Sequence, residues 1–257
     1  MENRPGIWQR VLLYLLYALV TVAMLLPCFW VLVTSFKVDQ EIYVFPVRWL
    51  PRVWTFANYA FVLARTKLPI YFANSGIISL LTIAISLGLG TLAGYGFSRY
   101  DWPGKTAVLV GILGTQMIPG LTNMIPLYVM MNKLGLLDTR ASLIIVYGAM
   151  SIPLAIWFMK GFFDTVPTEL DDAARIDGCS TWGIFWRIVM PLAKPGLASV
   201  SLLVFMQAWN EFVLALVFIT SEAVRPLSVG LYSFIGDYGQ VRWGQLSAAS
   251  ILAMLPT

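Results

Sequence analysis

A chain of 257 residues that is 59% hydrophobic and only 12% charged, with a mean hydropathy of +0.77, falls far below the roughly 25% charge of a soluble domain, so a soluble globular protein is excluded in favour of a polytopic membrane protein. The net charge of +4 is spread thinly along the chain, which excludes a nucleic-acid surface. With no histidine present, His-based triads, His metal sites and His proton relays are also excluded.

The N-terminus carries Arg4 and Arg10 before an apolar run. That run is too long for a signal-peptide core and lacks a small-residue cleavage site, so it reads as a retained first span over 11–35. A spanning helix needs about 20 mainly apolar residues. On that measure a second span fits 71–98 and is rich in small residues such as Gly88, Gly90, Ala93, Gly94 and Gly96, which let membrane helices pack closely. The segment between them, to Lys67, holds Pro46, Pro51, Trp49 and Trp54 and has no uncharged run long enough to cross. Pro103-Gly104 then marks a short turn flanked by Arg99 and Lys105.

A third span is expected over 106–127, with Pro119 and Pro126 near its far end, followed by an amphipathic connector over 128–140. A fourth fits 141–159 and a fifth 196–220, the latter with Asn210 and Glu211 inside it. A sixth begins near Gly244 and is incomplete in this sequence, being too short to cross. Basic residues are nearly balanced between the two sides; Arg4 and Arg10 before the first span favour a cytoplasmic N-terminus. The fold class expected is therefore all-α. It is a polytopic bundle of six spans, with a cytoplasmic segment over 1–10 and one transmembrane domain over 11–257.

The long polar interruption at 160–194 stands apart. Thr168, with Asp171 three residues on, matches a capping box, and Glu169, Asp171 and Asp172 crowd the first turn, where the helix dipole favours negative charge. Gly178 is placed to end that helix in a left-handed conformation. Ser180 is placed to cap a second helix carrying Trp182, Ile184, Phe185, Trp186, Ile188 and Val189, closed by Pro191 and Pro195. The expected product is a helix, a glycine elbow and a second helix, held at both ends by the membrane.

An ionisable side chain inside a span is costly and turns to the bundle interior or to water. Glu211 is accordingly read either as a polar patch on a translocation path, with Asn210, or as an ion pair with Arg225 or Arg242. Most tryptophans, among them Trp8, Trp49, Trp54, Trp102 and Trp243, fall at inferred interfaces, where aromatic belts are expected. Cys28 and Cys179 have no spacing suited to a metal site or a disulfide framework. No phosphate loop of the GxxxxGK[ST] type occurs in the sequence, so ATP is not held in that way.

The elbow resembles a family pattern. Permease subunits of binding-protein-dependent ABC importers carry Glu-Ala-Ala, three residues, Gly, nine residues and Ile-x-Leu-Pro. This chain has Asp172-Ala173-Ala174, three residues, Gly178, nine residues and Ile188-Val189-Met190-Pro191. Asp172 and Met190 depart from the pattern while keeping charge and bulk. The phrase AARIDG at 173–178, IPLYVMMNKLGLLDT at 125–139 and WNEF at 209–212 resemble the carbohydrate-uptake branch.

The resemblance implies a second permease subunit, an ATP-binding cassette ATPase acting as a dimer and an extracytoplasmic solute-binding protein. It implies a sugar or polyol substrate, surrounding membrane lipid, no cofactor or metal, and a place in a bacterial or archaeal cytoplasmic membrane. It implies a non-catalytic subunit, with ATP hydrolysed by the partner. By the same resemblance, Glu169, Asp171, Asp172, Ala173, Ala174, Asp177, Gly178, Ile188 and Pro191 form the ATPase-coupling element. A stand-alone secondary transporter, or a membrane scaffold subunit with no ATPase partner, is the competing reading; copurification of an ATPase separates them.

Overall fold

The computed structural model describes residues 7–235 and 241–257. Arg4, the first part of the expected N-terminal segment and residues 236–240 of the loop before the last helix lie outside the described residues. Helices dominate, and the described residues form no strand beyond one isolated bridge between Ile235 and Val241. The protein is an all-α membrane helix bundle. It divides into two compact units, one of Met1–Pro69 with Gly230–Thr257 and the other of Ile70–Val229.

The first unit is built on α1 (Ile7–Ser35), joined by α2 (Asp39–Ile42), α3 (Ala57–Arg65) and α14 (Trp243–Met254). At about 1.5 Å per residue, the 29 residues of α1 exceed the roughly 30 Å hydrocarbon core of a bilayer. Its apolar side chains are exposed almost throughout and only Val33, Thr34 and Ser35 are buried, as fits a helix whose surroundings are lipid or another membrane helix. The end of α1 is tied down by Asn58, whose Nδ2 donates to the carbonyls of Ser35 (3.0 Å) and Lys37 (2.8 Å). These are helix-end carbonyls with no partner inside α1. A Cβ on Gly244 would come within 2.8 Å of that same amide, so α14 starts where only glycine fits. Lys37 is buried: Nζ donates to the Arg48 carbonyl at 2.5 Å and lies 4.3 Å from the Trp30 ring centre. Burial pushes its ammonium below the ordinary lysine value, with Glu41 acting in the other direction.

The second unit runs from the body of α4 (Leu68–Arg99) through α5 (Lys105–Gly114), α6 (Met124–Lys133), α7 (Arg140–Asp164), α8 (Glu169–Ile176), α9 (Thr181–Ile184), α10 (Met190–Leu192), α11 (Lys194–Asn210) and α12 (Val213–Phe218), with α13 (Leu227–Tyr232) at its end. Small residues let α4 and α7 approach closely. A Cβ on Gly90 would sit 2.5 Å from Ala155 Cβ, and one on Gly94 would sit 3.0 Å from the Lys160 backbone nitrogen. Two apolar clusters follow from this packing. One gathers Met159, Phe163, Ala174, Ile184, Phe185 and Val204; the other gathers Ile78, Leu143, Val146, Leu214, Ala215 and Phe218.

Three helices, α1, α4 and α7, are continuous, long and apolar enough to cross a membrane. The second and fourth spans extend beyond their expected limits of 71–98 and 141–159. The third span is not continuous: residues Lys105–Met117 and Gly120–Lys133 meet at 89°. Pro119 has no N–H and forces its predecessor out of helical geometry, and Ile118 accordingly takes ψ 121. The expected connector over 128–140 is thereby half absorbed into α6. The fifth span also breaks, at Glu211, which takes ψ 126 and separates α11 from α12.

Candidate functional site

The elbow begins where Asp164 ends α7. Thr165 and Val166 turn back through bonds to the carbonyls of Phe162 and Phe163. Thr168 does not cap α8: it has φ −68 and ψ −21, already helical, and its side chain accepts no bond. The expected capping box is absent because Asp171, its second member, is turned inward. Asp171 Oδ2 lies 2.8 Å from Arg99 Nε, with both side chains 4% exposed. Arg99 also donates from Nη1 to the Phe163 carbonyl (3.1 Å) and from Nη2 to the Val166 carbonyl (3.0 Å).

The sequence-predicted coupling residues therefore separate onto two faces. Asp171 and Ala174 face the protein's own core, and the small size of Ala174 serves its packing in the cluster of Phe163, Ile184 and Phe185. Glu169, Asp172, Ala173 and Asp177 are exposed, as are Leu170 at 41% and Ile176 at 87%. Asp172 pairs with Arg175 one turn on at 3.1 Å. Leu170 and Ile176 were not among the expected coupling residues, although both stand on the same helix and Ile176 lies within the motif.

Gly178 behaves as expected, with φ +80. Cys179 N–H donates to the Ala174 carbonyl (2.9 Å) and Gly178 N–H to the Arg175 carbonyl (3.0 Å), the paired bonds of a Schellman end. Ser180 Oγ accepts from Gly183 N–H at 3.2 Å, capping α9 as expected. The second helix is less regular than anticipated. Residues Phe185–Val189 form a π-turn in which Met190 N–H reaches back to the Phe185 carbonyl. Ile188 is half-buried and Pro191 exposed. The Thr181–Leu192 stretch then meets Lys194–Asn210 at 75°, a corner between Pro191 and Pro195, where the second helix was expected to close.

A second polar centre lies at the break in the fifth span. Glu211 Oε1 accepts from Leu214 N–H (2.8 Å) and Oε2 from Ala215 N–H (3.1 Å). The Tyr147 hydroxyl also donates to Oε2, and the Ser228 hydroxyl donates to the Glu211 carbonyl at 2.6 Å. The ion pair expected with a basic residue is replaced by this neutral set; Arg225 stands 3.9 Å from Glu222 and donates to the Thr220 carbonyl. The carboxylate caps α12, where exposed N–H groups and the helix dipole favour it. Beside it Ser151 Oγ donates to Gln207 Oε1 at 3.4 Å, and a small cavity of about 40 Å³ touches Tyr147, Ser151, Gln207 and Glu211. Asn210 is exposed and its amide donates back to the Met206 carbonyl at 2.8 Å.

Arg99 and Tyr147 are the residues that sequence reasoning missed. Arg99 read as one more basic residue in a short turn, and nothing local links it to an acid 72 positions on (171 − 99). Tyr147 carried no signal beyond being one of three hydroxyls, with Ser142 and Ser151, in an apolar span.

Residues 86–256 match the family described as binding-protein-dependent transport system inner membrane component. The sulfoquinovosyl glycerol transport system permease protein SmoH of Agrobacterium fabrum is 34% identical over 90% of this chain and 81% of its own length. The trehalose/maltose transport system permease protein MalG of Thermococcus litoralis is 34% identical over 98% of this chain and 91% of its own. The inner membrane ABC transporter permease protein YcjP of Escherichia coli is 33% identical over 100% and 92%. Among solved structures, a bacterial ABC transporter involved in the import of the acidic polysaccharide alginate shares the fold, with TM-score 0.85 and 24% identity over 99% of this chain and 95% of that one. The match over two thirds of the sequence, with relatives 33–34% identical over 90% or more of it, makes this chain a member of the binding-protein-dependent transport system inner membrane components, a permease subunit of an ABC transporter.

Proposed function

We propose that this permease forms half of the path by which a sugar or related polyol is imported, and that α8 docks on an ATPase subunit that hydrolyses ATP on its behalf. A second permease subunit completes the path, and an extracytoplasmic binding protein delivers the solute. Relatives named for sulfoquinovosyl glycerol, trehalose and maltose, diacetylchitobiose and maltodextrin support a carbohydrate-derived solute. The membrane is the cytoplasmic one, in keeping with the family description.

The observation that carries the docking role is the outer face of α8. Ile176 is 87% exposed on a helix whose opposite face is anchored by Asp171 and Ala174. A large aliphatic side chain held out by a fixed helix gains free energy when a partner covers it, about 1.5–3 kcal/mol for full burial. Glu169, Asp172, Ala173 and Asp177 surround it with acid and with one small residue that permits close approach. Arg10 and residues 160–194 belong to the same side of the membrane in this reading.

The test is coexpression with the partner subunits and reconstitution in vesicles. Ile176→Asp and Ala173→Trp are expected to lose the ATPase on copurification and to abolish ATP-driven uptake, with the two permease subunits still paired. Retention of the ATPase and wild-type uptake by both variants would reject the docking role.

A further inference from the structure

We propose that Arg99 is a positioning residue for coupling: a clamp at the end of α4 that gives movement of the elbow a directed polar link into a helix it otherwise meets through the packing of Leu87 and Tyr95. The inference rests on the reading of α8 as the ATPase-docking helix.

α8 follows α7 and precedes α9, so a displacement of α8 pulls on α7 and α11 through the backbone itself. α4 has no such link, since it ends at Arg99, far upstream of the elbow. Arg99 supplies one. Its guanidinium reaches three separate pieces: the end of α7 at the Phe163 carbonyl, the turn at the Val166 carbonyl and α8 at Asp171. Only a fork of several N–H donors can hold three acceptors in fixed directions. The pair is inside the protein rather than on its surface, with each side chain 4% exposed. There it escapes the screening that makes exposed ion pairs weak.

The same pair is incompletely satisfied. Asp171 Oδ1 is buried without a hydrogen-bond partner, and the contact from Arg99 Nε meets the ion-pair distance without hydrogen-bond alignment. Buried polar groups are normally paired, so the orphaned oxygen leaves an acceptor free for a different partner if α8 shifts. A neighbouring latch, Ser98 Oγ to Asp164 Oδ1 at 2.7 Å with Lys160 on the other oxygen, joins α4 to α7 only and lies in more exposed surroundings. Arg99 joins α4 to α8 by an ion pair, beside the apolar packing of Leu87 and Tyr95 on Ala174 and Phe185.

The experiment uses the full complex in vesicles and reads ATP hydrolysed per solute imported, with the stimulation of hydrolysis by the loaded binding protein. Arg99→Gln and Asp171→Asn are expected to assemble and bind the ATPase, to go on hydrolysing ATP, and to raise the ATP cost per solute about tenfold, within the usual range of coupling between sites. Arg99→Lys, which restores charge but not the fork, is expected to fall between them and wild type. Should Arg99→Gln not accumulate, Asp171→Asn, equal in volume, carries the test. An unchanged ATP-to-solute ratio in the variant that assembles would overturn the inference. So would a fall of uptake and hydrolysis together in proportion to assembled complex, which is the mark of a purely structural pair. Retention of the ATPase by Ile176→Asp would instead remove the docking reading, and the inference with it.

Discussion

Asp138 shows how much one side chain can hold in place. Its backbone has φ +59, a left-handed conformation that Asp tolerates better than most residues. Oδ1 accepts from Ser221 N–H (2.7 Å) and Thr220 N–H (2.9 Å), pinning the loop before α7 to the end of the fifth span. The Ser221 bond is the main reason that its carboxyl is held below the ordinary range; burial opposes this, and Thr220 and the charge of Arg225 add to it. A depressed folded value means that the stabilisation is present above the ordinary carboxylate pKa, near 4, and is lost as pH falls through the folded value. Asp138→Asn is expected to lower the melting temperature at pH 7 and to flatten its acid dependence below about pH 4, read by thermal unfolding in detergent. Equal acid sensitivity in both proteins would refute it. Glu211 makes a second residue-scale case. Glu211→Gln places amide hydrogens against the Leu214 or Ala215 N–H groups, so one donor is left facing another, at about 1–3 kcal/mol. The expected result is reduced thermal stability before any loss of transport; normal stability with lost uptake would point to contact with the solute. The oddity of Glu211 was legible in the sequence, since an acid in a span must have a reason. Its partners were not, because two are backbone amides of the same segment and appear only once the helix is seen to break.

At the scale of elements, the elbow's end was legible and its beginning was not. A glycine after an amphipathic turn has one common use, and Gly178 has it. Nothing stands within 4 Å of a Cβ built on Gly178, so substitution there strains the backbone alone. Gly178→Ala is expected to cost about 1–2 kcal/mol in the elbow and Gly178→Val more, with uptake falling further than complex yield in reconstituted vesicles. The first turn misled because Thr168 and Asp171 stand at capping-box spacing while a distant arginine claims the acid. Thr168→Ala should therefore change stability by no more than a few tenths of a kcal/mol, where loss of a real cap costs about 1; a larger loss on thermal unfolding would restore the cap. The close approach of α4 and α7 gives the opposite expectation. Gly90→Ala puts a methyl into the space of Ala155, and overpacking of that kind costs about 1–3 kcal/mol, measurable as a fall in melting temperature. The small-residue pattern of α4 announced close packing, but not which helix would fill it.

For the whole molecule, composition established the membrane bundle and the motif established the family, while the breaks in the third and fifth spans came as corrections. Prolines and an acid were visible at those places, yet helix length is judged from hydropathy, and hydropathy does not fall where a backbone turns. Topology can be tested directly. With Cys28 and Cys179 removed, a cysteine at Thr168 is expected to resist an impermeant reagent applied outside intact cells, and cysteines within 37–67 to react. Labelling at Thr168 from outside would invert the proposed orientation and remove the ATPase from its place.

The bend at Ile118–Pro119 carries one more consequence. In a hydrocarbon medium a peptide group without an internal partner is several kcal/mol too costly to leave bare, and Pro119 cannot offer an N–H at all. Lys105–Met117 and Gly120–Lys133 meet there at 89°, with Gln116 spending its amide on the Met150 carbonyl at 2.9 Å. Any peptide group at this corner that lacks an internal partner must therefore meet protein or water rather than acyl chains. Deuterium should enter the backbone around 118–121 and around the Glu211 break within the time that the uninterrupted middle of α4 still holds its hydrogens. Depth in the bilayer and wetness are thus separate coordinates in this protein.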